Sequence, residues 1–273
     1  MNQIELINVR KDYTTKTLGT VTAVNNFNLT IKKGECFSFL GPSGCGKTTT
    51  LRMLAGFEDL SGGEIRLEGK VVSNKAKNLY VPPEHRNLGM VFQAFAVWPH
   101  LNVFDNVAFP LQVQKRPKAE IEERVNLALK QTNLLDQAKV FPSDLSGGEQ
   151  QRIALARSIV VNPGILLLDE PLSNLDPKLR ESMRFEIKRL QKEYNFTIVF
   201  VTHDQSEALA LSDRLLVMNK GEIIQIGTPQ ELYNKPVSLF VHNFLGESNF
   251  TKIVYRDGKV YAEGDTTQPL PCT

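Results

Sequence analysis

The apolar positions of this chain follow two rhythms. In the first third they alternate with polar residues, along Ile4-Glu5-Leu6-Ile7-Asn8-Val9, Phe27-Asn28-Leu29-Thr30-Ile31 and Gly63-Glu64-Ile65-Arg66-Leu67-Glu68-Gly69. Alternation of this kind turns one face of a strand to a core and the other to water, so an antiparallel sheet is expected. Cys36-Phe37-Ser38-Phe39-Leu40 is apolar almost throughout and reads as a short buried strand, followed by a helix over 48–55 that Gly56 ends. From about Phe95 to Ser143 the period lengthens. Pro117 stands at a helix start, and Ile121, Val125, Ala128 and Leu129 share one helical face, which predicts a helical insert. Apolar strands return at 164–169, 196–202 and 214–218, separated by helices over 178–193 and 205–211. Strand-helix alternation with near-continuous apolar strands predicts a parallel sheet covered on both faces. Residues 251–261 read as a hairpin around Asp257-Gly258, too short to bury a core alone.

With 273 residues, 41% hydrophobic and 23% charged, the composition is that of an ordinary globular protein, long enough for one large domain with an appendage or for two domains. Thirty-two basic against 30 acidic residues leave a net charge of +2, which gives no electrostatic case for nucleic acid as a partner. Lys32-Lys33 and Lys115-Arg116 read as solvated surface. Cys36, Cys45 and Cys272 are odd in number and lack metal-ligand spacing, so a reducing, cytoplasmic setting is expected. The start of the chain lacks a signal-peptide pattern and the longest apolar runs, such as 165–168, are far shorter than a bilayer span. His85, His100, His203 and His242 show no paired spacing, and no zinc site is expected.

The chemistry begins at Gly41-Pro42-Ser43-Gly44-Cys45-Gly46-Lys47-Thr48, which fits the phosphate-loop pattern G-x-x-x-x-G-K-[ST] and lies between the predicted strand and helix. Glycines let the backbone curl and turn its N–H groups toward an oxyanion, and the helix start adds its positive dipole end. Lys47 is expected at the β- and γ-phosphates of a nucleotide, the Thr48 hydroxyl at Mg²⁺, and Thr49 at a further phosphate oxygen. A second element is the apolar strand ending in Asp169-Glu170. There Asp169 would bind Mg²⁺ through its water shell and Glu170 would orient or deprotonate the attacking water. A third is Leu145-Ser146-Gly147-Gly148-Glu149-Gln150-Gln151-Arg152, with Ser146 and Glu149 spaced as a capping box and Ile153, Ala156, Ile159 and Val160 on helical spacing. Two glycines at a capped helix start make a second anion site. Because the chain already has one, Ser146-Gly147-Gly148 is expected to close on the γ-phosphate held by another molecule.

Together these residues resemble the ATP-binding cassette ATPases, over about residues 3 to 236. The resemblance implies an α/β fold, a phosphate-loop NTPase core of mainly parallel sheet with an antiparallel β subdomain and a helical subdomain at about 94–152. It implies that Tyr13 stacks on adenine, that Gln93 touches Mg²⁺ and the water, and that His203 contacts the γ-phosphate. Ser173-Asn174-Leu175-Asp176 would lie across a dimer, with Asn174 where Ala is common. The segment 82–93 is similar to that of the importer ATPases for maltose, polyamines, sulfate and ferric iron. The tail, residues 237–273, is similar at Phe244-Leu245-Gly246-Glu247-Ser248-Asn249-Phe250 to the start of their C-terminal OB-like domain, and is much shorter. The implied protein is an ATP- and Mg²⁺-dependent homodimer, peripheral at the cytoplasmic face of the cell membrane. It would drive separate transmembrane permease subunits, and through them be served by an extracytoplasmic solute-binding protein. Phe95, Trp98 and Leu101 are expected to help form the groove for the permease. Ferric iron, polyamine, phosphonate, sulfate and sugar all remain open as cargo. An exporter shares the chemistry and is opposed by segment 82–93 and the tail. A translation-associated ATPase would carry two sets of motifs, and a chromosome-maintenance ATPase a long heptad insert.

Overall fold

The alternating runs at the start of the chain pair as expected and extend further than their pattern shows. In the computed structural model, which describes residues 2–15, 19–246, 251–257, 259–263 and 268–270, β1 (Asn2–Thr15) and β2 (Gly19–Lys32) form a long antiparallel ribbon. Its register shifts between Leu6 and Val9, where Asn8 takes a φ of 48°, and again between Val9 and Lys11, where Asn26 on β2 has a φ of 42°. Asparagine tolerates the left-handed region, so the irregularity costs little and the ribbon continues past it.

The chain then enters a second sheet through β3 (Cys36–Leu40) and leaves it by α1 (Lys47–Ala55), which Gly56 ends at a φ of 85°. β4 (Gly62–Leu67), β5 (Lys70–Asn74) and β6 (Leu79–Tyr80) return to the first sheet, in the order β2-β1-β4-β5-β6. After β7 (Leu88–Val91) comes the helical segment: α2 (Val103–Val113), α3 (Lys118–Gln131) and α4 (Gly147–Ile159). In α3 the predicted face holds, with Val125, Ala128 and Leu129 buried and Ile121 packed beside them. Strand-helix alternation follows in β8 (Ile165–Asp169), α5 (Pro177–Tyr194), β9 (Thr197–Thr202), α6 (Gln205–Leu211), β10 (Arg214–Asn219) and β11 (Glu222–Gly227). The six-stranded sheet has the order β11-β10-β3-β9-β8-β7, parallel from β10 to β7 with β11 antiparallel at its edge. α7 (Pro229–Asn234) and α8 (Leu239–Leu245) bury Leu232, Val241 and Leu245 against β10. The hairpin of β12 (Ile253–Arg256) and β13 (Lys259–Ala262) closes the described tail. Gly258 of its turn, residues 247–250 of the tail motif, and Cys272 lie outside the described residues.

The central strands are apolar throughout because each of their faces has its own core. Leu166 and Leu168 of β8, with Ile198 and Phe200 of β9, pack against α4 and α5, while Ile165, Leu167, Val199 and Val201 pack toward α1 and the antiparallel sheet. Fully burying side chains of this kind contributes about 1.5–3 kcal/mol each. A buried arginine ties α1 to the antiparallel sheet. Arg86 is 4% exposed and donates to the carbonyls of Val81 (2.7 Å), Met53 (2.7 Å) and Leu54 (2.9 Å) and to the Ser73 hydroxyl (2.9 Å). It thereby satisfies the carbonyls of the last turn of α1, which no helix can satisfy internally.

Candidate functional site

Strand order decides which loops meet. The C-terminal ends of β3, β7, β8 and β9 lie side by side, so the loops that follow them converge at one edge of the sheet. After β3, Gly44 and Gly46 take φ values of 77° and 106°, which an L side chain rarely adopts, and a Cβ at Gly46 would lie 2.5 Å from the Ala23 carbonyl. The loop wraps the Lys47 ammonium, which donates to the carbonyls of Gly41 (2.7 Å) and Pro42 (2.9 Å) and lies 3.8 Å from the buried Cys45 sulfur. A cleft of about 350 Å³ opens over the start of α1. Ser43, Gly44, Gly46, Lys47, Thr48 and Thr49 form one wall, and Ala23, Gln93 and Glu170 form the rest.

Two groups of oxygen and nitrogen donors gather at this cleft. The Thr48 hydroxyl donates to Asp169 Oδ1 at 3.0 Å, and Asp169 is 7% exposed. Burial pushes the Asp169 carboxyl up, with the Thr48 hydrogen bond pulling against it. Two hard oxygen donors this close, one a buried carboxylate whose charge a cation would offset, suit Mg²⁺. Next to them Glu170 is held at a φ of 45° while its N–H donates to the Val201 carbonyl at 3.0 Å. Its Oε2 accepts from Gln93 Nε2 at 3.2 Å and lies 3.1 Å from His203 Nδ1. Gln93, Glu170 and His203, predicted from three separate stretches, thus meet on one carboxylate oxygen.

The loop after Glu170 is fastened to its neighbours. Ser173 Oγ donates to the Glu170 carbonyl and Asn174 Nδ2 to the Gln93 carbonyl, both at 3.0 Å. Asp176 caps α5 by accepting from the N–H groups of Lys178 and Leu179 at 3.1 Å. Tyr13 sits on β1 opposite Val21, with the Lys11 ammonium 5.0 Å from its ring centre, and does not line the cleft.

Ser146, Gly147 and Gly148 are also outside the cleft. Ser146 and Glu149 form the predicted capping box of α4: Glu149 Oε2 accepts from Ser146 N (2.8 Å) and Oγ (2.6 Å). The same hydrogen bonds hold the Glu149 carboxyl below its usual range. Gly148 is packed so closely that a Cβ there would lie 2.8 Å from Leu179 Cδ1 and nearer still to Cδ2.

On another face lies an apolar groove of about 640 Å³. Its walls are Phe57 and Phe92, with ring centres 5.9 Å apart, and Trp98 and Phe109, 4.4 Å apart. Of Phe95, Trp98 and Leu101, expected from sequence to help form a docking groove, Trp98 lines this one and Phe95 and Leu101 do not. Phe95, partly buried, packs against the helical core beside Gly147. Leu101 lies past the turn that its N–H closes to the Trp98 carbonyl, at 3.2 Å. Phe57, Phe92, Phe109 and Arg157, whose guanidinium lies 4.5 Å from the Trp98 ring centre, were missed because nothing local in sequence links them. Arg86 and Ala23 were missed for the same reason.

A phosphate loop on an α/β sheet, with an acidic strand end beside it and a glycine-rich capped helix outside it, defines a nucleotide-binding cassette. Residues 24–173 match the ABC transporter family, and the chain belongs to that family. It is 53% identical over 246 residues to the spermidine/putrescine import ATP-binding protein PotA of Thermobifida fusca, a match that covers 90% of this chain and 62% of that protein. It is 49% identical over 248 residues to the trehalose/maltose import ATP-binding protein MalK of Thermococcus litoralis, covering 90% of this chain and 67% of that one. The chain therefore spans less than two thirds of the length of the first of these relatives. Among solved structures, the dimeric post-hydrolysis state of the ATP-binding cassette MJ0796 bound to ADP and Pi superposes with a TM-score of 0.72 at 33% identity, covering 83% of this chain and 98% of that one. CbiO1 of Clostridium perfringens, part of an ABC transporter complex, gives 0.76 at 29% identity, covering 86% of this chain and 92% of that one. Among the described residues no helix is long and apolar enough to cross a membrane.

Proposed function

We propose that the chain is the ATP-hydrolysing subunit of a membrane importer, with an ATPase domain over residues 1–236 and a partial OB-like region over 237–273. Lys47 and the N–H groups of the loop would hold the β- and γ-phosphates, with Thr49 on a further oxygen. Thr48, Asp169 and Gln93 would hold Mg²⁺, which when bound supplies charge neutralisation on the phosphate oxygens. Glu170 would take or orient the proton of the attacking water, with Gln93 aligning that water and His203 contacting the γ-phosphate. Tyr13 would stack on adenine.

The observation that carries the catalytic part is the meeting of Gln93 and His203 on Glu170 Oε2, at the rim of the phosphate-loop cleft. Supporting a dimer, the glycine-rich start of α4 at Ser146-Gly147-Gly148 does not line the cleft of its own chain, and its free N–H groups would serve as an anion site for another copy. Two chains arranged head to tail would place it on the partner's γ-phosphate, with Asp176 near the same boundary. ATP then favours the closed dimer because its γ-phosphate touches both copies, and ADP does not. The groove around Trp98 fits a cytoplasmic helix of a permease subunit, which would set the protein at the cytoplasmic face of the membrane. Cargo would be chosen by the permease and an extracytoplasmic binding protein. The names of the relatives favour polyamine or sugar, with ferric iron, sulfate and phosphonate in the same class.

Replacing Glu170 by Gln tests the catalytic assignment. ATP binding is expected to persist while turnover falls by about 10²–10⁴, the range for losing a general base. Hydrolysis at a near-normal rate would remove Glu170 from that role.

A further inference from the structure

His203 has a side chain that is 56% exposed, and it pairs with Glu170. What fixes its position is the backbone on either side, and that backbone leads to one arginine. Arg180 stands one turn into α5, its N–H donating to the Asp176 carbonyl at 2.9 Å. Its Nη2 donates to the Leu175 carbonyl at 3.2 Å and its Nη1 to Asp204 Oδ2 at 3.3 Å. Nε lies 3.5 Å from Glu207 Oε1, on a carboxylate only 3% exposed.

Both neighbours of His203 are committed to this cluster. Asp204 uses Oδ2 for Arg180 and Oδ1 to cap α6, accepting from Glu207 N at 3.1 Å and Ser206 Oγ at 2.6 Å. Thr202 Oγ1 donates to Glu207 Oε2 at 2.6 Å and accepts from Asp204 N at 3.0 Å. On the other side Leu175 lies between Asp176 and Ser173, whose hydroxyl is bonded to the Glu170 carbonyl. A single planar guanidinium therefore spans the segment next to the proposed dimer boundary and the loop that carries His203. The fork reaches all three acceptors at once, with hydrogen bonds to Leu175 and Asp204 and an ion pair to Glu207 in which Nε makes no hydrogen bond, whereas an ammonium is a point charge.

We infer that Arg180 is a positioning residue for hydrolysis, a clamp that makes the loop of His203 follow the segment of Asp176. The inference rests on the ATPase reading above. Displacement of a reacting group by about 1 Å can cost about 10²-fold in rate, so a loosened clamp acts on turnover and leaves nucleotide binding alone.

The test compares wild type, Arg180→Gln and Arg180→Lys in ATP turnover, trinitrophenyl-ATP binding and thermal unfolding. In both variants kcat is expected to fall about 10- to 100-fold, with KM for ATP and analogue affinity within about twofold of wild type. Arg180→Lys keeps a cation opposite Glu207, so its Tm is expected to stay within about 2 °C of wild type while its kcat stays low. If Arg180→Gln does not fold, the lysine variant decides the matter. A lysine variant with kcat within about twofold of wild type, a kcat loss matched by an equal loss of nucleotide affinity, or a loss that tracks Tm would overturn the clamp. A wild-type chain that binds ATP and does not hydrolyse it would refute the ATPase reading itself, and the clamp with it.

Discussion

Arg86 offers the most direct measure of how the nucleotide loop is held by the rest of the molecule. Replacing it by Ala removes four hydrogen bonds, two of them to the final carbonyls of α1, the helix that starts at Lys47. At the lower value for bonds to a charged donor, about 1.5 kcal/mol each, the four amount to about 6 kcal/mol. Against this stands the penalty of burying a guanidinium, which pushes the Arg86 pKa down to about 10 from an ordinary 12.5. At about 1.4 kcal/mol per unit that penalty is about 3.5 kcal/mol, and the alanine variant escapes it. The expected net loss is therefore about 2.5 kcal/mol, or about 5–10 °C in Tm for a chain of this size. Arg86→Lys keeps the charge but cannot reach acceptors on α1, β5 and Val81 together, so it is expected to lose about half as much. Thermal unfolding without nucleotide is the assay, repeated with trinitrophenyl-ATP binding because a displaced α1 carries its phosphate-binding end with it. An alanine variant melting within about 2 °C of wild type would refute the reasoning, since the four acceptors would then have found other partners.

Two further outcomes follow from α4. Gly148→Ala forces the Leu179 methyls aside and is expected to cost about 1–3 kcal/mol; adding Leu179→Ala opens the space, so the double variant should lose less than the sum of the singles in urea unfolding. Strict additivity would mean that the two side chains do not compete for that space. Glu149, held below its usual pKa mainly by the Ser146 hydroxyl, contributes stability that is present above about pH 4.5 and is lost as pH falls through its lowered folded value. Glu149→Gln should therefore trail wild type by about 1 kcal/mol at pH 7, with the gap closing in urea unfolding below about pH 4.5; a gap of constant size would contradict the assignment.

What could be read from sequence alone was whatever depends on near neighbours. The phosphate loop needs glycines where its backbone turns left-handed, as Gly44 and Gly46 do, and the capping box of Ser146 and Glu149 spans three residues. The strands 164–169 and 196–202 were legible because a strand buried on both faces has no polar position to alternate with. The two-sheet architecture followed from the same rhythms, although the β1–β2 ribbon ran past its visible alternation because Asn8 and Asn26 absorb its irregularities.

Only the tertiary structure decided what these pieces do to one another. That Gln93, Glu170 and His203 share one carboxylate oxygen depends on β7, β8 and β9 lying side by side. That Trp98 belongs to a groove with Phe57, Phe92 and Phe109 while Phe95 turns inward depends on how the helical segment folds over the sheet. The bridging roles of Arg86 and Arg180 carry no local signature, because a guanidinium that bridges distant carbonyls is recognised by where those carbonyls end up. Backbone conformation is a property of a few consecutive residues and is written locally. Contacts between loops are set by strand order and packing, and exist only once the whole chain has folded.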